Sequence, residues 1–312
     1  MTFAVVALAQ ALLLAMAAPV VIGITRAVRA RLEGRGGGRL AQPWRDLRKQ
    51  LRKQPTSPAD ASVFFVAAPP VLMSTSLIIA ATAPFIATRP VFGGADLIVV
   101  VGLLLLGTVA LALAGLDTGT AFGGMGASRE MIIAALVEPT LLLAVFALSF
   151  RVGSTDLSAI VAAGVGDPAQ VFTPASLLAA AAVGVAAMAE TGRIPVDNPS
   201  THLELTMVHE AMILEYSGRD LALVEWAAAM RLTVLLGLWA NLFAPWGVAT
   251  SDHPLWLVVG AGALLAKLAV LAALLAGAET FAAKLRLFRV PELLAGSFVL
   301  ALLAVLVSYV LA

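Results

Sequence analysis

Between Glu190 and Asp220 the chain reads ETGRIPVDNPSTHLELTMVHEAMILEYSGRD, in surroundings made mostly of alanine, leucine and valine. Carboxylates fall at Glu190, Asp197, Glu204, Glu210, Glu215 and Asp220, histidines at His202 and His209, and arginines at Arg193 and Arg219. Carboxylates near or below the headgroup level of a bilayer are costly to ionise. Burial and mutual repulsion raise their pKa until they exchange protons near neutral pH. Histidine titrates in that range unaided. On the residues alone, proton handling and a solvated polar connection both account for the stretch. Other chemistries fit less well. His209 and Glu210 begin an H-E-x-x-H pattern, but Ile213 breaks it. Only His202, His209 and loose carboxylates are left for a metal. No G-x-S-x-G marks a nucleophile. The glycines of AFGGMGASRE do not match a phosphate loop and read as turns.

Local signals set the expected geometry. Pro195 and Pro199 break any helix, and Ser200 and Gly218 then suit the N-cap and C-cap of a helix over 200–218. On such a helix Glu204 and Glu215 lie about three turns apart and share a face. His202, His209 and Tyr216 form a second line.

The elements that must carry these groups are membrane spans. Of the 312 residues, 61% are hydrophobic and 12% charged, against roughly 45–50% and 25% for a soluble domain. This predicts an all-α polytopic membrane protein. About eight stretches approach the roughly 20 apolar residues a span needs: 3–25, 63–87, 96–115, 131–150, 174–190, 226–246, 255–277 and 292–311. The first lacks a basic leader and a cleavage site and reads as a retained span. The odd-numbered connections, about 26–62, 116–130, 191–225 and 278–291, hold 16 of the Lys and Arg residues, and the even ones hold two. The odd ones are therefore expected in the cytoplasm, with both termini outside. With no cysteine, the chain has no thiolate for an iron–sulfur cluster and no disulfide. The segment QPWRDLRKQLRKQP predicts a short basic helix with Trp44, Leu47 and Leu51 along one side. It suits the bilayer surface or a peripheral protein, and its thin aromatic content argues against nucleic acid.

Further ionisable residues mark a path. Glu130 stands at the entry of the fourth span, and Glu138 inside it beside Pro139, which loosens the local hydrogen bonding. Glu225 and Arg231 flank the start of the sixth span and are a candidate pair, although six is not a neighbour spacing on a helix. Lys267 sits in mid-span and Glu279 near the end of its helix. Trp226, Trp239, Trp246 and Trp256 read as interfacial anchors. Met125, Met131, Met207 and Met212 read as packing.

ETGRIPVDNP at 190–199 resembles the E-T-x-R-x-P-x-D-x-P motif of the membrane subunit that joins the two arms of respiratory complex I, the NADH dehydrogenase subunit 1 family. EYSG at 215–218 is similar to the same family. The nearer resemblance is to its branch in group 4 [NiFe] hydrogenases, which includes formate hydrogenlyase subunit 4 and hydrogenase-4 component C. That resemblance runs through QPWRDLRK at 42–49, LDTGTAFGGMGASRE at 116–130 and LVEP at 136–139. It implies a non-redox membrane subunit without a cofactor of its own. Its expected partners are hydrogenase-like large and small subunits carrying [NiFe] and Fe–S centres, an Fe–S subunit, antiporter-like membrane subunits and the lipid bilayer. It implies coupling of electron transfer to proton or sodium movement through Glu130, Glu138, Glu190, Asp197, Glu204, Glu210, Glu215, Glu225, Lys267 and Glu279. Arg45, Arg48, Arg193, His202, His209, Tyr216 and Arg219 are expected at the junction with the peripheral arm. The complex I branch carries a shorter, acidic segment in place of STHLELTMVHEAMIL. That departure makes quinone the less favoured ligand, and a quinone-site subunit of complex I or a free-standing ion transporter the alternative readings.

Overall fold

The computed structural model describes residues 2–58, 61–88, 95–197, 207–251 and 253–311; Ser200, His202 and Glu204 lie outside the described residues. Among the described residues the regular structure is helical, apart from two isolated bridges, Ala87–Ala249 and Asp96–Asp156. The helices are α1 (Thr2–Leu32), α2 (Gln42–Leu51), α3 (Val63–Thr82), α4 (Leu97–Asp117), α5 (Ala121–Val152), α6 (Leu157–Gly166), α7 (Pro174–Glu190), α8 (His209–Ile213), α9 (Gly218–Phe243), α10 (Pro254–Phe281) and α11 (Val290–Leu311). Seven of them, α1, α3, α4, α5, α9, α10 and α11, are long and apolar enough to cross a membrane. The remaining expected span is α7, whose 17 residues stand at the short end of the roughly 17–25 that suffice. The all-α polytopic expectation is met.

The helices pack in a chain of neighbours. α10 lies on α1, α1 on α9, α9 on α3, α3 on α4 and α4 on α5, while α11 packs against α5 and α7. Three local expectations fail, each for a packing reason. First, the glycines of 121–130 are not turns: α5 starts at Ala121, capped by the Thr120 hydroxyl, which accepts from the Gly123 N–H. A Cβ on Gly126 would stand 2.8 Å from the Ala211 Cβ and the Val208 carbonyl oxygen, and one on Gly123 2.2 Å from the Gly115 carbonyl oxygen. These glycines let α5 press against α4 and α8. Second, no long helix ends at Gly218. In the described part only His209–Ile213 is helical, and Gly218, with φ +54°, opens α9 instead. A Cβ there would lie 2.4 Å from the Gln54 carbonyl oxygen, and the Ser217 hydroxyl accepts from the Thr56 N–H at 2.8 Å. The E-Y-S-G sequence is a clamp on the segment leading into α3. Third, α9 therefore begins well before residue 226, and Glu225 and Arg231 both lie inside it.

Proline inside a helix strips the carbonyl four residues earlier of its donor. Pro19 does this to Ala15, and the Trp226 indole N–H donates to that carbonyl at 2.9 Å; Trp44 donates to the adjacent Met16 carbonyl at 3.2 Å. Pro69 does it to Phe65, whose carbonyl accepts from the Tyr216 hydroxyl at 2.7 Å while the two rings stack 4.1 Å apart. Trp239 likewise donates to the Ala180 carbonyl at 2.9 Å. Trp226 and Trp239 are thus half-buried and spend their indole donors on carbonyls of neighbouring helices. Trp246 and Trp256 stay exposed, as anchors would.

Candidate functional site

The connections that share a surplus of positive charge converge. A cavity of about 440 Å³ opens among α1, α2, α4, α5, α8, α9, the 191–193 turn and the end of α10. Its charged wall is built from pairs contributed by different elements.

Glu279, on the last turns of α10 and 3% exposed, accepts from Arg193 at 3.2 Å, with Arg29 at 3.7 Å. Burial pulls the Arg193 guanidinium below its ordinary range, and Glu279 partly restores it. Asp197, also buried, accepts from the backbone N–H of Val208 and of His209 at 3.2 Å each, and pairs with Lys284 at 3.4 Å. It thereby sets where α8 begins. The Leu285 N–H donates to the Pro195 carbonyl at 2.9 Å, so the segment after α10 is laced to the 191–197 turn.

One step further in, His209 Nδ1 lies 3.2 Å from Glu130, and Arg129 donates to the Met207 carbonyl at 2.9 Å. Burial alone would lower the His209 pKa. The charge of Glu130 and its hydrogen bond, reinforced by Asp197 and Glu210, outweigh burial and hold it at about 9. His209 is therefore an imidazolium at neutral pH. Gly192, with φ +58°, passes beneath its ring; a Cβ there would meet the imidazole at 3.2 Å.

Deeper still, Arg231 is locked against Glu190, the Leu104 carbonyl at 2.7 Å and the Thr108 hydroxyl at 2.6 Å; Thr108 in turn donates to Glu190 at 3.3 Å. The candidate pairing of Arg231 with Glu225 is not formed. Six residues place the two on different sides of α9, and Glu225 instead accepts from Gln50 of α2 at 3.2 Å. Glu130 and Glu138 lie within electrostatic reach of the Arg231 guanidinium. Glu138 is 6% exposed, and neither of its carboxyl oxygens has a hydrogen-bond partner among the described residues. Glu130 and Glu138 stand about 12 Å apart along α5 at 1.5 Å per residue. Together they form a ladder of acids leading from the cavity into the bundle.

The remaining expected residues are scattered. Glu210 lines the cavity, whereas Glu215 is exposed outside it. Tyr216 is buried against Phe65 and is not on a helical line with His209, because α8 ends at Ile213. Arg45, Arg48 and Arg219 are exposed. Lys267 donates to the Asn241 side-chain oxygen at 3.0 Å, away from the cavity. Sequence reasoning passed over Thr108, Gln50, Arg29 and Lys284. Thr108 carried a signal, as the only hydroxyl inside the apolar run of α4 before its end. Arg29 and Lys284 sat in basic runs that served only to orient the chain.

The comparisons with known proteins agree with one another. The family described as NADH dehydrogenase matches residues 3–310. The chain is 39% identical over 247 residues to hydrogenase-4 component C of Escherichia coli (strain K12), covering 78% of this chain and 76% of that protein. It is 33% identical over 298 residues to formate hydrogenlyase subunit 4 of the same organism, covering 95% and 96%. Among solved structures, a chain of the membrane-bound sulfane sulfur reductase, an archaeal respiratory membrane complex, superposes with a TM-score of 0.84 at 19% identity, covering 99% of this chain and 100% of that one. At that identity the likeness is one of fold.

Proposed function

The chain belongs to the NADH dehydrogenase family, and from that premise we propose that it is the non-redox membrane subunit of a complex-I-like hydrogenase. It anchors a peripheral arm and couples that arm's electron transfer to proton or sodium movement. The [NiFe] and Fe–S centres belong to the partners: this chain has no cysteine to ligate a cluster. Antiporter-like membrane subunits carry the ion, and the cavity side faces the cytoplasm.

The observation that carries this reading is the ladder of buried acids around Arg231. Glu190 holds the guanidinium directly, Glu130 and Glu138 act on it through space, and Glu130 also holds His209. With two cations for three carboxylates, one acid is in surplus, and Glu138 is the one without a hydrogen-bond partner. Leaving an ionised carboxylate unpaired in the interior is so costly that such a group takes a proton. A change of charge at a cluster facing the cavity alters the balance between His209 and Glu130. That in turn alters how Arg231 divides its attraction among Glu190, Glu130 and Glu138, and so which acid holds the proton. The cations Arg193, His209 and Arg231 are each engaged by a carboxylate. Cations already committed to carboxylates favour a charge relay over a quinone site.

The test is Glu138→Gln in the assembled complex. Glutamine keeps the shape and removes the titrating proton. Ion movement should fall by about a hundredfold or more, the scale of a lost proton-transfer group, while the peripheral arm stays attached and keeps its activity with an artificial electron donor. Ion movement at the normal rate would overturn the coupling role. Gentle purification with metal analysis tests the anchoring role: nickel and iron should accompany the chain, and a chain isolated alone would overturn it.

A further inference from the structure

Helix α2 forms part of the cavity wall with one face and leaves the opposite face uncovered. Pro43 and Leu47 are buried, and Asp46 and Gln50 turn to the cavity. Arg45, Arg48, Lys49 and Arg52 follow at three- and four-residue spacing, so they form one row on the far side. All four are exposed, and none is in an ion pair among the described residues. The helix's only acid, Asp46, is held on the cavity side, where it accepts from Gln42 at 2.9 Å.

Two further observations place this row beside an exposed apolar surface. Trp44 of α2 donates to the carbonyl of Met16, in the apolar stretch of α1. Met16 and Leu12 are 51% and 64% exposed on the outer side of α1. From that edge an apolar groove of about 660 Å³ runs between α1 and α10, lined by Leu12, Met16, Val20, Leu265 and Leu268. A row of cations selects an anionic partner, and a contiguous apolar groove selects one with hydrocarbon chains. An acidic soluble protein would satisfy the first and leave the second uncovered.

We propose that the outer face of α2 and the α1–α10 groove together form a binding site for an anionic phospholipid. The headgroup sits on Arg45, Arg48, Lys49 and Arg52, and an acyl chain lies along Leu12, Met16 and Leu265. The inner face of the same helix supplies Gln50, which donates to Glu225 at 3.2 Å. A lipid seated outside therefore braces one wall of the cavity. The site does not depend on the redox role proposed above.

The experiment uses the purified complex in detergent, with phosphatidylglycerol and phosphatidylcholine added in turn and retained lipid counted by native mass spectrometry. The wild type should retain phosphatidylglycerol and shed phosphatidylcholine. The triple variant Arg45→Gln/Arg48→Gln/Arg52→Gln should bind phosphatidylglycerol about a hundredfold more weakly, at about fivefold per cation removed. Its melting temperature in phosphatidylcholine should be unchanged, because the three side chains are exposed and make no hydrogen bond or ion pair among the described residues. A second variant, Leu265→Asn, at an exposed position of the groove, should weaken retention with the headgroup row intact. Equal retention of both lipids by the wild type, or unchanged phosphatidylglycerol retention in both variants, would overturn the proposal. So would a triple variant that keeps its lipid and sheds a soluble subunit, which would make the occupant an acidic protein face.

Discussion

Two intramembrane cations, Arg231 and Lys267, are partnered in opposite ways. Arg231 lies against Glu190, with Glu130 and Glu138 in reach, so its neighbours are groups that can each change charge. Lys267 donates to the neutral amide of Asn241, whose own N–H groups hold the carbonyls of Pro84 and Phe85 at 2.8 Å. Asn241 works with Gln10, which donates to Ala80 and Ala83 and accepts from the Ile86 N–H at 3.0 Å. Together they satisfy the non-helical 83–88 segment, which the apolar interior would otherwise leave with orphaned backbone groups. One cation thus belongs to a set of ionisable neighbours, and the other to a brace of neutral hydrogen-bonding groups. A charged residue inside a span is a pointer to function, but only its partners tell which kind it is.

The comparison can be broken or sharpened in four ways. Arg231→Met leaves Glu190 buried without its cation and should cost about 3–5 kcal/mol, read as a lower melting temperature and less assembled chain. Adding Glu190→Gln should restore most of the loss, and a double variant no better than the single one would mean that the pair is not the reason. Asn241→Leu removes two donors from buried carbonyls and should cost about 2–4 kcal/mol at roughly 1–2 per orphaned group. Any ion movement measured per assembled complex should be unchanged.

His209 sets a pH dependence. Its folded pKa of about 9 lies above the ordinary value of 6.5, so the pair with Glu130 contributes fully below about pH 6.5 and is lost as pH rises through about 9. The wild type should lose about 1–2 kcal/mol over that window, discounted for the partial exposure of the ring. His209→Gln should flatten the profile, and an equally steep profile in that variant would remove His209 as its source. Smallest is Lys267→Met, which removes one hydrogen bond and leaves the Asn241 donors in place. It should cost below about 1.5 kcal/mol and leave coupling intact. A loss of coupling in this variant would erase the distinction between the two cations.

Much of the site was legible because the residues that carry it are out of place in their surroundings. Glu138 and Glu190 interrupt apolar runs, and interruptions of that kind are visible without a structure. The E-T-x-R-x-P-x-D-x-P resemblance singled out Glu190, Arg193 and Asp197; Glu190 ends α7 against Arg231, and Arg193 and Asp197 follow it and pair with Glu279 and Lys284. What failed was local propensity. Gly123 and Gly126 looked like turn residues and are helical, since their lack of a side chain serves the approach of α4 and α8. Gly218 looked like a helix end and is a helix start, because its positive φ and missing Cβ admit the Gln54 carbonyl. A glycine carries the same letter for a turn, a cap and a close contact.

By itself the sequence determined the all-α membrane fold and the concentration of acids and bases in 190–220, because hydropathy and composition act on each segment independently of the others. The tertiary structure alone decided the pairing. Arg231 with Glu190, His209 with Glu130 and Arg193 with Glu279 join residues 41, 79 and 86 positions apart. It also decided that Trp226 and Tyr216 satisfy the Ala15 and Phe65 carbonyls that Pro19 and Pro69 leave without a helical donor. The reason is that an ion pair or a hydrogen bond depends on a few ångströms in space, and separation along the chain does not encode that distance.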